Sequence, residues 1–381
     1  MGVKREDLII QTKVNAMPAK AFRKTLEKSF ELLGLDYIDL FSFHGLNMDF
    51  GYKLIFDNDG DENLMDIIKE YQAAGKIKHI GFSTHGQPEF VRKCIETDAF
   101  EYVNLHYHAF GSYTATGGGK FGGHLENVRL MNEKDMGVFI ISPYDKGGRL
   151  YAPSKKLRAL TLPDLEPIQY GGLWLFAHAE IDEFNADLHT FTVGAARPSD
   201  LDEPAVAAHL YSNRKAEMIS KVKKVAKRLR EEEVKALGEE WLENWYHGVT
   251  NCLTEGDMYN FGQIIQLFNL IKSFGMLGYA KDRYEVFDGN MKNWDFNKPA
   301  KENISKMKIG WGYTPGIATA PGKDYAALLP NVPVEHKARV LEAIEFVFDY
   351  CSNNSDKDLA IPDEWKTAYD MRPWTAFPER R

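Results

Sequence analysis

The sequence has few cysteines and no long apolar segment. Its 381 residues include only three cysteines, Cys94, Cys252 and Cys351, which lie far apart along the chain. Such a sparse and odd number favours a reducing compartment and argues against a disulfide framework. It also excludes a self-contained zinc or iron–sulfur site of four cysteines. No run approaches the roughly 20 apolar residues that span a bilayer, so we expect no membrane partner.

An excess of basic charge is also absent. The chain has 47 Lys and Arg against 55 Asp and Glu, a formal net charge of −8. Nucleic-acid binding needs basic patches that displace counterions, so we expect no nucleic-acid partner. Residues 1–7 lack the apolar core of a signal peptide. We therefore expect a cytoplasmic protein, with the stroma or matrix of an organelle left open. What is present is a hydrophobic content of 44%, enough for a sizeable core.

The first half of the chain alternates between strand and helix patterns. Short apolar runs predict strands at residues 8–14, 37–43, 77–83, 102–107, 138–142 and 188–193. Helical patterns separate them, and Pro18 and Gly34 bound the first helix. Strands that alternate with helices predict parallel pairing through crossovers. Six such strands fit either a doubly wound sheet or a (β/α) barrel.

The second half has a different character. Residues 214–246 predict one charged helix, and residues 259–276 and 335–350 predict two apolar ones, with an irregular stretch at 289–333. We therefore predict a (β/α) domain over residues 1–212 and a helical C-terminal domain over residues 213–381.

Polar side chains end several of the predicted strands. Lys13, His44, Ser83 and Ser142 each stand at the carboxyl end of one. In a (β/α) barrel these ends build the active site. At any single strand a polar residue is explained as well by the start of a loop, but Lys13 and His44 together favour a site.

The order of the motifs resembles the aldo-keto reductase family. The resemblance lies in IQTK at residues 10–13, LDYIDLFSFH at 35–44 and GKIKHIGFS at 75–83. GFSTHG at 81–86 and ISPYDKGG at 141–148 are similar to one oxidoreductase subgroup of that family, and the resemblance extends over about residues 5–212. It implies a (β/α)₈ barrel and hydride transfer from NADPH to the carbonyl of a small molecule.

The resemblance also implies roles for individual residues. Lys13 matches the family's catalytic lysine, and His44 matches its catalytic histidine, which orients the carbonyl. Ser83 and Asn104 match the positions that hold the nicotinamide amide.

Four further positions are implied for the rest of the cofactor. Ser142 and Lys146 lie in the segment that approaches the pyrophosphate of NADP. Gly194 and Arg197 lie in the turn that faces its 2′-phosphate, and the guanidinium of Arg197 would suit that phosphate.

One motif of the family is not found in the sequence. The pattern Asp-x-Ala-x-x-Tyr-Gly, which carries the catalytic aspartate and tyrosine and precedes the lysine strand, has no equivalent here. We therefore expect about six of eight strands, an incomplete barrel. Two explanations stay open: a truncated gene model of a reductase, or a catalytically impaired or non-catalytic descendant that keeps the scaffold or the cofactor groove.

A metal cofactor is not expected. Relatives in the subgroup often end in a cysteine-rich segment that holds an iron–sulfur cluster. Cys252 stands where such a segment would begin, but its companion cysteines are missing. The sequence indicates neither the substrate nor the oligomeric state.

Overall fold

The structure, a computed structural model, describes residues 2–57, 62–110, 123–144, 149–181, 184–195, 198–249, 258–306 and 315–368. Six strands in these ranges form one sheet whose strand order follows the chain. They are β1 (Gln11–Asn15), β2 (Ile38–His44), β3 (Ile77–Thr84), β4 (Tyr102–Leu105), β5 (Gly137–Ile141) and β6 (Thr190–Thr192). The strands run parallel, as the alternating pattern predicts. The predicted fold class, an incomplete (β/α) barrel of about six strands followed by helices, is confirmed.

Helices separate the strands and then fill the second half. Those of the first half are α1 (Ala19–Leu33), α2 (Asp49–Phe56), α3 (Leu64–Ala73), α4 (Pro88–Ile95), α5 (Leu125–Glu133), α6 (Lys155–Thr161), α7 (Pro167–Phe176) and α8 (Asp202–Asn213). Those that follow are α9 (Lys215–Leu237), α10 (Glu239–Asn244), α11 (Phe261–Phe274), α12 (Leu277–Lys292), α13 (Ala300–Lys306) and α14 (Val334–Cys351). None of the described helices is both long and apolar enough to cross a membrane.

Three details differ from the sequence prediction. The charged helix predicted over residues 214–246 is interrupted at Gly238, whose φ of +83° is outside the helical range, so that α9 ends and α10 begins there. The stretch predicted to be irregular contains the end of α12 and all of α13. Helices α2, α6 and α7 and most of α12 were not predicted.

Aromatic side chains join the first helices to one face of the sheet. α1 buries Phe22 and Leu26, and the ring of Phe22 stacks on Phe43 of β2 with centroids 5.7 Å apart. Phe43 and Phe82 both contact the ring of Phe100. Side chains alternate along a strand. The residues next to these aromatics in sequence, such as Ser42 and Ser83, therefore lie on the opposite face of the sheet.

The chain divides into two compact units. The first is residues 1–105 with 126–139, and the second is residues 106–125 with 140–381. In the second unit α9 buries the predicted stripe Met218, Val222, Val225 and Leu229, and α11 packs against α9 and α14. The boundary predicted between residues 212 and 213 falls inside this unit, at the end of α8, and stays a prediction.

Candidate functional site

The strand register places the predicted site residue Lys13 in a row of four residues on one face of the sheet in the first unit. Lys13 of β1 is in register with Ser42 of β2, Ser42 with Gly81 of β3, and Gly81 with Tyr102 of β4. Residues in register on parallel strands project to the same side of a sheet. These four positions therefore form one row across the face that the aromatic core leaves open.

A second row lies on the same face, two residues nearer the carboxyl end of each strand. Asn15 is in register with His44, and Ser83 with Asn104. His44 and Ser83 each follow the last registered pair of β2 and β3, which is Phe43 with Phe82. His44 is exposed, whereas Ser83 and Asn104 are buried. Lys13, His44, Ser83 and Asn104 thus lie on one face of the sheet, while their roles stay predictions.

A hydrogen-bond network connects residues of the two rows with Gln11 of β1, which lies two residues before Lys13. The Nε2 of Gln11 lies 2.7 Å from the Oδ1 of Asn104 and 3.1 Å from both the Oγ of Ser42 and the hydroxyl of Tyr102. Ser42 donates to the same Oδ1 at 3.0 Å, and its Oγ lies 2.9 Å from the Tyr102 hydroxyl. Since the single hydroxyl hydrogen of Ser42 goes to Asn104, Tyr102 is the donor to Ser42.

Gly81 makes this network possible. A Cβ at Gly81 would lie 2.5 Å from the carbonyl oxygen of Tyr102 and 2.6 Å from its ring. The Tyr102 ring therefore lies over a position that only glycine can occupy, and it stacks on Phe139 with centroids 5.1 Å apart. Burial raises the pKa of Tyr102 to about 12, although the hydrogen bonds with Ser42 and Gln11 act in the opposite direction. The phenol is therefore protonated at neutral pH.

The network fixes the orientation of the Asn104 amide. Its Oδ1 accepts from Gln11 and Ser42, so its Nδ2 must point elsewhere. That Nδ2 is buried and donates no hydrogen bond to any described residue. A buried N–H without an acceptor is costly. Asn104 therefore offers a fixed donor that fits the carbonyl oxygen of a bound amide.

The end of β3 holds the loop that carries His44. The Oγ of Ser83 accepts from the amide of Gly45 at 3.1 Å, and the carbonyl of Ser83 accepts from the amide of Leu46 at 2.9 Å. The hydroxyl of Thr84 donates to the carbonyl of Leu46 at 2.8 Å. Gly45 has a φ of +66°, which turns the chain directly after His44. His44 is thus held at the carboxyl end of β2 by its neighbouring strand.

The remaining predicted cofactor residues belong to the second unit. Ser142 follows β5, is half-buried and has a left-handed φ of +59°, an uncommon conformation for serine. Gly194 follows β6 and is exposed. Lys146 and Arg197 lie outside the described residues, as does Cys252.

The network contains three residues that were not predicted as site residues from the sequence: Gln11, Ser42 and Tyr102. Each lies two residues before a predicted site residue, namely Lys13, His44 and Asn104. The period of two along a strand was the signal that could have found them.

Neither the two histidines after β4 nor any other described group forms a metal site. The rings of His106 and His108 are buried with centroids 5.0 Å apart. Within the described ranges, no cluster of three His, Cys, Asp or Glu residues could hold a metal ion. Cys94 and Cys351 are buried free thiols, and burial raises the pKa of each to about 12.

The part of the chain that contains β1–β5 and their polar ends also matches a known protein family in sequence. Residues 1–143 match the Aldo/keto reductase family model. The match contains Lys13, His44, Ser83, Asn104 and Ser142, and it agrees with the resemblance seen in the motifs. It ends before Gly194. The match supports an oxidoreductase.

Several solved structures resemble the chain at low identity. Aldo-keto reductase AKR11C1 from Bacillus halodurans, in its holo form, is 20% identical over 60% of this chain and 75% of its own, with a TM-score of 0.44. The aldose reductase from Giardia lamblia is 17% identical over 59% of this chain and 74% of its own, with a TM-score of 0.38. No curated protein matches the chain.

Proposed function

We propose that this protein is an NADP-dependent oxidoreductase of the aldo-keto reductase type, which reduces the carbonyl group of a small molecule. The observation that carries the proposal is the placement of Lys13, His44, Ser83 and Asn104 in adjacent rows on one face of a parallel sheet. A lysine in β1 and a histidine at the carboxyl end of the neighbouring β2, on the same face as the buried Ser83 and Asn104, suit a reaction that develops negative charge on a carbonyl oxygen.

The residues on this face fit a nicotinamide. The Nδ2 of Asn104 is the donor that a carboxamide oxygen requires, and Gln11 and Ser42 fix its direction. Ser83 adds a hydroxyl in the same row. When bound, NADPH supplies a hydride to the carbonyl carbon of the substrate.

Lys13 and His44 would act on the carbonyl oxygen. The ammonium of Lys13 favours the negative charge that develops there. The exposed imidazole of His44 can donate a hydrogen bond and then a proton, since histidine exchanges protons readily near neutral pH. The resemblance also assigns Arg197 to the 2′-phosphate, so NADPH should bind more tightly than NADH.

The test measures cofactor binding and turnover separately. Calorimetric titration of the full chain with NADPH and NADH gives affinities, and the loss of NADPH absorbance with a simple aromatic aldehyde gives rates. Asn104→Asp, which replaces the donor with a carboxylate, should weaken NADPH binding at least about 10-fold. Arg197→Ala should weaken NADPH at least about 10-fold and leave NADH unchanged.

Two further variants separate chemistry from binding. His44→Gln should lower the reduction rate about 10²-fold or more, because general acid catalysis contributes on that order, while NADPH affinity is unchanged. His79→Gln is the matched control, a strand histidine that pairs with Glu101 at the other end of β3, and should change neither. Tight NADPH binding without any reduction would favour the non-catalytic alternative. No binding of either cofactor would overturn the proposal.

A further inference from the structure

A cavity within the second unit is lined by aromatic side chains. Its volume is about 510 Å³, within the roughly 300–1,000 Å³ typical of small-molecule sites. The aromatic rings that line it are those of Tyr107, Phe110, Tyr170, Trp174 and Phe184. Such rings offer faces and edges on which a planar apolar molecule can pack.

Two of these aromatic side chains, Tyr107 and Phe184, which we call the aromatic wall, are held in place by the buried His178. The Tyr107 hydroxyl lies 3.0 Å from the Nε2 of His178, and the Nδ1 of His178 lies 2.6 Å from the carbonyl oxygen of Ala186. A carbonyl only accepts, so Nδ1 carries the hydrogen and Nε2 accepts from Tyr107. The His178 ring also stacks on Phe184 with centroids 4.6 Å apart. The wall is therefore preorganised, which lowers the cost of binding.

Basic side chains from α9 line the same cavity. Lys223, Lys227 and Arg230 follow one another at helical spacing, so they share one side of the helix. Two carboxylates, Glu231 and Glu233, also line it. The lining thus has three cationic groups against two anionic ones, and the ammonium of Lys227 lies 3.9 Å from the exposed carboxylate of Glu231, beyond hydrogen-bond distance.

The guanidinium of Arg230 keeps one buried donor. Its Nη2 pairs with Glu239, and its Nη1 lies 3.9 Å from a carboxylate oxygen of Glu233. That is beyond hydrogen-bond distance. The Nη1 atom is buried and has no hydrogen-bond acceptor in the described part of the chain. A bound anion would supply that acceptor.

We propose that this cavity binds a small aromatic molecule that carries one negative charge, of the class of aromatic carboxylates. The ring system packs against Tyr107, Trp174 and Phe184, and the carboxylate lies toward Arg230 and Lys227. Every residue in this inference belongs to the second unit, and none of them is among the residues proposed to bind the cofactor.

The test compares two probes of the same ring system with the full chain in the absence of any nicotinamide. The probes are 2-naphthoate and the neutral 2-naphthalenemethanol, and calorimetric titration measures their affinities. We expect saturable binding of both, with 2-naphthoate about 10-fold tighter or more. Equal affinity would overturn the assignment of a charged ligand, and absence of saturable binding would overturn the site.

Variants of α9 locate the binding. Ala226, which also lines the cavity, is half-buried, and Ala226→Phe should fill the space and weaken both probes at least about 10-fold. Exposed Lys227→Gln and half-buried Arg230→Gln should weaken 2-naphthoate only. Lys224→Gln removes an exposed charge from the same helix outside the cavity and should change neither affinity. Circular dichroism shows whether Ala226→Phe is folded; if it is not, the two charge variants decide. Unchanged 2-naphthoate affinity in both would contradict the proposal.

Discussion

Gly81 is the residue whose side chain, a single hydrogen, decides whether Tyr102 can reach Ser42. Gly81→Ala would place a Cβ 2.5 Å from a backbone oxygen and 2.6 Å from the Tyr102 ring, which is itself packed on Phe139. Because overpacking forces shifts in the surrounding structure, the free energy of unfolding should fall by about 1–3 kcal/mol. Urea unfolding followed by circular dichroism measures this.

The control for that substitution is Gly289 in α12. A Cβ there meets no atom within 4 Å. Since alanine favours a helix over glycine, Gly289→Ala should leave stability unchanged or raise it by about 0.5–1 kcal/mol. Equal effects of the two substitutions would show that the Tyr102 ring is not fixed over Gly81.

We expect Asp39 to make the stability of the first unit depend on pH. Its carboxylate accepts from Arg5 at 2.7 Å, from Lys78 at 2.8 Å and from the amide of Ile10 at 2.9 Å. Burial raises the pKa of Asp39, but these hydrogen bonds outweigh it and hold the pKa well below its usual range. Asp39→Asn should therefore lower the free energy of unfolding by about 1–3 kcal/mol at pH 7.

The sign of the pH effect follows from linkage. The folded pKa of Asp39 is depressed, so its contribution is fully present above the unfolded pKa of about 3.9 and is lost as the pH falls through the folded value. Unfolding measured from pH 7 to pH 2 should show the difference between wild type and Asp39→Asn shrinking below about pH 4. The exposed Asp36→Asn serves as the control. A difference that stays constant over this range would contradict the assignment.

Individual site residues could be predicted from sequence only where the chemistry is local. Lys13 and His44 lie in or directly after short apolar runs, which marks both as strand residues, and the structure has Lys13 within β1 and His44 at the end of β2. The contact of Tyr102 with Ser42 joins residues 60 positions apart and depends on the space over Gly81. No pattern within one strand specifies such a contact, so the network needed the structure.

Helix α3 shows how a single cap determines where an element begins. The Oδ1 of Asn63 accepts from the amide of Asp66 at 2.8 Å, and its Nδ2 donates to the Asp66 carboxylate at 2.9 Å. Asn63→Ala leaves that amide without its acceptor and should cost about 0.5–2 kcal/mol. Asn63→Ser restores a capping oxygen and should recover most of the loss. Thermal unfolding of the three proteins measures both effects, and an equal loss in both variants would mean that the cap contributes little.

The strands were predicted more accurately from the sequence than the helices of the second half, for a physical reason. Strands β2–β5 stand out as apolar runs because both faces of a parallel sheet are largely covered. β1 is largely polar, and the apolar residues that predict it, at 8–10, precede it. The break at Gly238 depends on one backbone conformation, and α13 buries little. Neither feature produces a strong periodic signal, so the boundaries in the second half were predicted less well.

The position of each strand in the sheet determines how strongly its backbone amides are protected from exchange with solvent. In the described part of the chain β1 pairs only with β2, whereas β2 and β3 each lie between two strands. Apolar side chains near β1 are also exposed: Ile9 is 80% accessible and Leu32 is 74% accessible. A strand with few buried apolar contacts and one partner opens at a lower free energy than a central strand.

We therefore expect a gradient of amide hydrogen exchange across the sheet. Peptides that cover β1 should exchange faster than those that cover β2 and β3, by about 10-fold or more, which corresponds to an opening free energy about 1.4 kcal/mol lower. Exchange measured by mass spectrometry at pH 7 checks this, with residues 358–361, which lie in no helix or strand, as the fast reference and β3 as the slow one. The rates in β1 should rise further in Val14→Ala, because Val14 is the buried side chain of that strand and its loss removes apolar burial without touching the network around Asn104. Protection of β1 equal to that of β3 would mean that a further part of the chain pairs with its outer edge.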